Sequence, residues 1–135
     1  MRILLADHQP KVRFALRVLL ERRSGVEVVG EAVHARALLA RVEASYPDVV
    51  LLSWELPGLE SIDWLSVLRE TCPDLWIIVL SGRSEARQAA LAAGANAFVS
   101  KTYPPERLLD AIDRCGCERH KGNGCSCRLE AQTLC

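Results

Sequence analysis

Short runs of apolar residues recur along the first hundred positions of the chain, and longer amphipathic stretches separate them. The runs are too short for helices and end at polar or turn-forming residues, which is typical of strands. The central run, Val49 to Leu52, lies between Pro47 and Pro57 and shows no alternation. Such a run suits a strand that is buried on both faces of a parallel sheet. The other predicted strands cover residues 3–6, 26–29, 75–80 and 97–100.

The stretches between these runs carry apolar residues at steps of three and four, which indicates helices. The first helix begins at Pro10, and its inward positions are Val12, Ala15, Leu16, Leu19 and Leu20. The second covers about residues 35–44 and ends at Tyr46-Pro47, because the residue before proline disfavours helix. Ser61 is expected to cap the third helix, which turns Ile62 inward, and Ser84 to cap the fourth. The last helix opens at Pro104-Pro105.

Alternation of five strands with five helices predicts right-handed βαβ units and a parallel sheet covered on both faces. We therefore expect an α/β fold, a flavodoxin-like (βα)5 three-layer sandwich with sheet order 2-1-3-4-5. Ligands of such folds bind outside the carboxyl ends of the strands, at the crevice between strands one and three. The predicted domain covers residues 1–114, and residues 115–135 form a separate Cys-rich tail.

Composition narrows the function classes. The chain has 135 residues with 17 basic and 17 acidic side chains, so its net charge is zero and direct nucleic-acid binding is not expected. No apolar run approaches the roughly 20 residues that span a bilayer, and we expect a cytoplasmic protein. Of six cysteines, five lie in the last 21 residues, so the body of the fold should not depend on disulfides.

Polar residues stand at the predicted strand ends, namely Asp7, His8, Ser53, Ser81 and Lys101. With these residues the sequence resembles the receiver domains of two-component response regulators, from residue 1 to about 114. The likeness extends to the segments Leu5–Arg13 and Pro47–Gly58 and to Ser81-Gly82. The ending from Pro105 to Ile112 is similar to that of bacterial receivers that carry a helix-turn-helix output domain, and so are part of transcription regulators.

The resemblance implies a role for each position. Two adjacent acids after the first strand bind magnesium in the family, and an aspartate at the end of the third strand is phosphorylated. Ser81 matches the hydroxyl that accepts the phosphoryl group, Lys101 the lysine that contacts it, and Phe98 the switching aromatic. Here, however, His8 replaces the second acid and Ser53 replaces the phosphorylated aspartate.

These two departures remove the usual chemistry. Aspartyl phosphate requires a carboxylate nucleophile, and magnesium requires hard oxygen ligands. The chain is expected to be an aspartate-less pseudo-receiver without enzymatic activity, with weak or absent magnesium binding. Its output would be a contact with a protein partner or with a second copy of the chain, and not with a membrane.

The sequence allows two interpretations of the role of each of several strand-end residues. Ser53 is either a modified hydroxyl with His8 as its base or, as we favour, a serine bonded to Lys101 or to backbone. Lys101 either contacts an anion or pairs with Asp7. Glu55 either turns to the side of Ser53 and supplies a carboxylate or, as we favour, is a solvated acid at the rim. Ser81 belongs either to a relic of an anion pocket or to an ordinary turn.

Aromatic residues and the tail complete the candidates. Trp54, Trp64 and Trp76 are expected to be core or interface anchors, and Trp54 is the best candidate for a partner contact. The tail carries Cys115, Cys117, Cys125 and Cys127, whose thiolates could bind zinc tetrahedrally, although Cys-x-Cys is not the usual spacing. Reversible disulfides and a disordered tail are the other interpretations. The alternative function is therefore a metal or redox sensor on a receiver scaffold.

Overall fold

The computed structural model describes residues 1–101 and 105–121, with side chains of the last helix described for residues 105–116. These residues form one parallel sheet with strand order 2-1-3-4-5. Its strands are β1 (Arg2–Ala6), β2 (Glu27–Ala32), β3 (Val49–Ser53), β4 (Trp76–Ser81) and β5 (Ala97–Ser100). The helices are α1 (Pro10–Glu21), α2 (Ala35–Ser45), α3 (Trp64–Thr71), α4 (Ala86–Ala92) and α5 (Pro105–Lys121). The predicted flavodoxin-like topology is confirmed.

The burial of β3 on both faces of the sheet explains why its sequence is an almost uninterrupted apolar run. All five of its residues are buried, because β1 and β4 flank it and both faces of the sheet are covered. On one face, Leu4, Val50 and Ile77 belong to a cluster with Leu38 of α2 and Leu68 of α3. The intervening residues of the same strands point to the other face and are also buried. A strand with two buried faces cannot alternate with polar residues.

The chain divides into two compact units, each with most of its contacts within itself. The sheet and the first four helices belong to Met1–Thr102, and α5 belongs to Tyr103–Cys135. In α5, Leu108, Ile112 and Cys115 are buried and are spaced by four and three residues, which is one helical face. No helix in the described part of the chain is long and apolar enough to cross a bilayer.

The end of α2 agrees with its prediction from the local sequence, whereas the start of α3 does not. Helix α2 ends at Ser45 as predicted, and Tyr46 before Pro47 adopts a left-handed conformation with φ 44°. The prediction for α3 is wrong. Its N-cap is Asp63, whose carboxylate accepts from the amide of Ser66 at 3.4 Å, whereas Ser61 closes a 3-10 turn. Ile62 consequently falls outside the helix and is 53% exposed.

Two further boundaries and one expected inward position differ from the sequence-based expectation. Glu85, not Ser84, is the N-cap of α4, and its side chain makes no capping bond. Strand β2 extends to Ala32, because its pairing with β1 continues beyond a register shift that a local pattern does not show. Ala15 of α1 is exposed, and Leu20 is the buried residue of that helix.

The last helix extends beyond the expected beginning of the tail. It runs to Lys121, so Cys115 and Cys117 lie within helical backbone. Cys115 continues the apolar face of Leu108 and Ile112, which explains why the helix does not stop at residue 114. The division of the chain into residues 1–114 and 115–135 stays a prediction.

Candidate functional site

The carboxyl ends of four neighbouring strands meet at one edge of the sheet. Asp7 follows β1, Ser53 ends β3, Ser81 ends β4, and Lys101 follows β5. Backbone hydrogen bonds continue the ladder to this edge: the amide of Asp7 donates to Ala32 O at 3.1 Å, and the amide of Lys101 to Ser81 O at 2.9 Å. The sheet therefore fixes the spacing of these side chains before any of them makes a contact.

Lys101 joins Asp7 and Ser53 in one buried cluster. Its Nζ donates to Asp7 Oδ2 at 2.9 Å and to Ser53 Oγ at 3.2 Å. Asp7 is 1% exposed and Ser53 is fully buried, while 23% of the Lys101 side chain reaches solvent. A carboxylate so deeply buried requires a counter-charge, and Lys101 provides it. The structure thus contains the pair of Lys101 with Asp7, and a contact of Lys101 with an anion stays a prediction.

The remaining bonds of this cluster come from backbone. The amide of Gln9 donates to Asp7 Oδ1 at 2.9 Å, so each carboxylate oxygen of Asp7 has a partner. Ser53 Oγ also accepts from the amide of Glu55 at 3.3 Å. Both contacts of Ser53 that the structure describes are therefore with donors, and neither is with a base that would activate its hydroxyl.

The residues at this edge do not fit a magnesium site. His8 lies with Nδ1 3.8 Å from Asp7 Oδ1, and its side chain is 46% exposed. A neutral imidazole is a poor ligand for magnesium, which prefers oxygen donors. Asp7 is already engaged by the Lys101 ammonium group at 2.9 Å. Within residues 1–101 and 105–116, no group of three or more His, Cys, Asp or Glu side chains is arranged to hold a metal ion.

Glu55 and Ser81 form a second pair beside the first. Ser81 Oγ donates to Glu55 Oε2 at 2.7 Å, and the same oxygen lies 3.6 Å from Arg83 Nη2. Ser81 is fully buried, whereas the Glu55 side chain is 36% exposed. The favoured interpretation of Glu55 as a merely solvated acid is thus wrong. The carboxylate turns toward the strand ends, but it binds Ser81 and not Ser53.

An ion-pair network between helix α1 and strand β2 was not predicted from the sequence. Arg13 Nε donates to Glu31 Oε1 at 2.6 Å, and Arg17 Nη2 donates to Glu31 Oε2 at 2.5 Å. Arg13 also donates to the backbone carbonyl of Asp7 at 2.7 Å, which connects the network to the first cluster. The hydrogen bond from Arg17 lowers the pKa of Glu31 by more than burial raises it, and the hydrogen bond from Arg13 lowers this pKa further.

Aromatic candidates lie in or against the core. Trp64 is 8% exposed, and its indole nitrogen donates to Gly58 O at 2.8 Å. Trp54 and Phe98 are partly buried and pack against the hydrophobic cluster. Trp54 is therefore less available for a partner contact than we expected. The role of Phe98 as a switching aromatic stays a prediction.

Most of the candidate cysteine site lies outside the residues that the structure describes. Cys115 is buried in α5. The side chain of Cys117, and Cys125 and Cys127 entirely, lie outside the part of the chain that the structure describes. Zinc binding, disulfide exchange and the metal- or redox-sensing alternative stay predictions.

The geometry defines a class of protein. A parallel sheet of order 2-1-3-4-5 with polar side chains gathered at its carboxyl edge is a flavodoxin-like domain with its site at the switch point. The family model of the response regulator receiver domain matches residues 3–113. The chain therefore belongs to the family of response regulator receiver domains.

Several relatives of the chain are named as transcriptional regulatory proteins, and others as response regulators. It is 35% identical over 111 residues to the uncharacterized transcriptional regulatory protein YhcZ of Bacillus subtilis, covering 81% of this chain and 52% of that protein. It is 33% identical over 112 residues to the nitrate/nitrite response regulator protein NarL of Escherichia coli, covering 82% and 52%. The chain thus spans about half the length of these curated relatives.

A solved structure supports the same family. A LuxR-family two-component response regulator from Aurantimonas superposes with a TM-score of 0.77 at 33% identity, covering 84% of this chain and 82% of that one. The sequence-based expectation of a receiver domain similar to those of helix-turn-helix regulators is confirmed.

Proposed function

We propose that this receiver domain is not phosphorylated at the usual position and that its output does not depend on a phosphoryl group. The observation that carries the proposal is the contact of Lys101 Nζ with both Asp7 Oδ2 and Ser53 Oγ, at 2.9 and 3.2 Å. A serine hydroxyl that accepts from an ammonium group is not activated for attack, since activation requires a base that removes its proton. The pair neutralises the charge of Asp7 without metal.

Weak or absent magnesium binding is part of the proposal. The Asp7 carboxylate at this edge accepts from Lys101 and from the amide of Gln9, and the Glu55 carboxylate accepts from the Ser81 hydroxyl. A magnesium ion would have to displace the ammonium group of Lys101 and would gain few oxygen ligands in exchange. We propose accordingly that the domain catalyses no phosphoryl transfer.

The output we propose is protein–protein contact in the cytoplasm, with a partner protein or between two copies of the chain. Membership of the receiver family supports this, as does the balanced charge of the sequence, which gives no electrostatic basis for holding nucleic acid. Because the chain spans about half the length of relatives named as transcriptional regulatory proteins, we further propose that it acts within such a regulator. DNA binding would then belong to another part of that protein.

Incubation with a small phosphodonor tests the central claim. The chain is treated with phosphoramidate and excess Mg²⁺, and intact mass is compared before and after acid treatment. We expect no gain of a phosphoryl group and no change in oligomeric state by light scattering. An acid-stable or acid-labile phosphorylated species at residue 53 would contradict the proposal.

A further inference from the structure

The Ser81 hydroxyl has both of its hydrogen-bonding functions satisfied within the chain. It is fully buried at the end of β4, so an unmade bond would be costly. As donor it binds Glu55 Oε2 at 2.7 Å, and as acceptor it receives the backbone amide of Arg83 at 3.0 Å. The hydroxyl therefore links the β3–α3 loop to the β4–α4 loop.

Glu55 is placed for this contact by the residues on either side of it. The amide of Trp54 donates to Leu80 O at 2.9 Å, which prolongs the pairing of β3 with β4 by one residue. Leu56 is 1% exposed, and its amide donates to Ser53 O at 3.1 Å, which closes a turn. Between these two anchors, the Glu55 backbone bonds to Ser53 and its side chain reaches Ser81.

The bond between Glu55 and Ser81 is charge-assisted. An O–H···O⁻ bond is shorter and stronger than its neutral equivalent, and the 2.7 Å separation agrees with that class. Arg83 Nη2 at 3.6 Å adds a weaker attraction, because its side chain is 58% exposed and solvent screens it. One carboxylate thus contacts both the last residue of β4 and the loop that follows it.

We propose that Glu55 is a resident ligand of the Ser81 hydroxyl, which fixes the β4–α4 loop in one conformation without any bound phosphoryl group. Through the resemblance to receivers, Ser81 matches the hydroxyl that would bind a phosphoryl group carried at the position of Ser53. The carboxylate of Glu55 supplies a negative oxygen to that hydroxyl from within the chain. This inference rests on the proposed function and specifies its regulation: the loop state is set by residue 55 and not by a kinase.

The backbone amide of Arg83 reports on this contact, because it donates to Ser81 Oγ. Amide hydrogen exchange at Arg83 is measured by NMR in the wild-type chain and in Glu55→Ala, Glu55→Gln and Ser81→Ala. Loss of the carboxylate should accelerate exchange about five- to tenfold, which corresponds to the typical net contribution of one intramolecular hydrogen bond. Glu55→Gln keeps an acceptor oxygen and should restore a large part of the protection.

A double-mutant cycle separates the contact from general loosening. In the Ser81→Ala background, which lacks the donor, Glu55→Ala should produce no further acceleration. Glu60→Ala changes an exposed acid of the same loop and is the matched control, for which we expect wild-type exchange. If Glu55→Ala lowers the folded fraction, Glu55→Gln replaces it, and Arg83 exchange should then be faster than in the wild-type chain because the acceptor has lost its charge.

Two results would overturn the inference. The first is wild-type Arg83 exchange in Glu55→Ala, and the second is full additivity of the two substitutions. Neither result bears on phosphorylation, which the phosphodonor experiment tests separately. Conversely, a phosphorylated Ser53 would refute the proposed function and leave the measured coupling between Glu55 and Ser81 in place.

Discussion

The ammonium group of Lys101 lies 2.9 Å from the buried carboxylate of Asp7, although the two residues are 94 positions apart in the chain. The sheet makes this contact, since β1 and β5 both end at the same edge. Removing one member of a buried pair is costly because the other charge stays in a medium of low polarity. The loss of stability when Lys101 is replaced therefore measures how much this pair contributes to the stability of the domain.

Replacement of Lys101 by methionine should lower the free energy of unfolding by about 2 kcal/mol, below the range for fully buried pairs because part of Lys101 is solvated. Urea denaturation at neutral pH measures the change. Lys11→Met, at an exposed position on α1, is the control and should stay within about 0.5 kcal/mol of wild type. Asp7→Asn combined with Lys101→Met should recover part of the loss, and an unchanged stability of Lys101→Met would contradict a stabilising role of the pair.

Restoration of the missing acids should restore the missing chemistry. The double variant His8→Asp and Ser53→Asp provides three carboxylates at the edge, the set that the family resemblance implies for magnesium and phosphoryl transfer. We expect an acid-labile phosphorylated species when the variant is incubated with phosphoramidate and Mg²⁺, and none without Mg²⁺. Ser53→Asp alone, which lacks the second acid, should react more slowly. Absence of reaction in the double variant would indicate that other residues also block the site.

Acidification should weaken the domain in part through Glu31. Because Arg17 and Arg13 lower its pKa in the folded chain below the ordinary value of 4.5, the unfolded state binds more protons in this range. The stabilisation by Glu31 is thus complete above about pH 4.5 and is lost as the pH falls through the lowered pKa. The stability difference between wild type and Glu31→Gln, measured by urea denaturation from pH 7 to pH 3, should shrink toward zero. Glu27→Gln, at an exposed position of β2, should not change the profile.

The start of α3 can be tested through its cap. Asp63 accepts from the Ser66 amide at 3.4 Å and from the Ser66 hydroxyl at 2.8 Å. Asp63→Ala should cost about 1 kcal/mol in the free energy of unfolding, whereas Asp63→Asn should cost much less because asparagine caps equally well. Equal losses in both variants would mean that charge, and not the cap, accounts for the contribution of Asp63.

The sequence by itself predicted the fold and the members of the site. Apolar runs that end at polar residues identified the strands, and βαβ alternation then left the order 2-1-3-4-5. Because parallel strands end at one edge, Asp7, Ser53, Ser81 and Lys101 had to lie close together. Replacement of acids by His8 and Ser53 is likewise visible in the sequence alone.

Only the tertiary structure decided which of these residues contact one another. The direction of Glu55 depends on the path of the β3–α3 loop, and no pattern in the sequence predicts that Arg83 approaches its carboxylate. The helix start at Asp63 depends on a 3-10 turn that no periodicity marks. The period of the hydrophobic residues predicts whether a segment is a helix or a strand. The hydrogen-bond partner of a polar side chain depends instead on its rotamer and on loops that bring together residues far apart in the chain. For that reason the pairs Lys101–Asp7 and Ser81–Glu55 follow from the folded molecule and not from the pattern of its sequence.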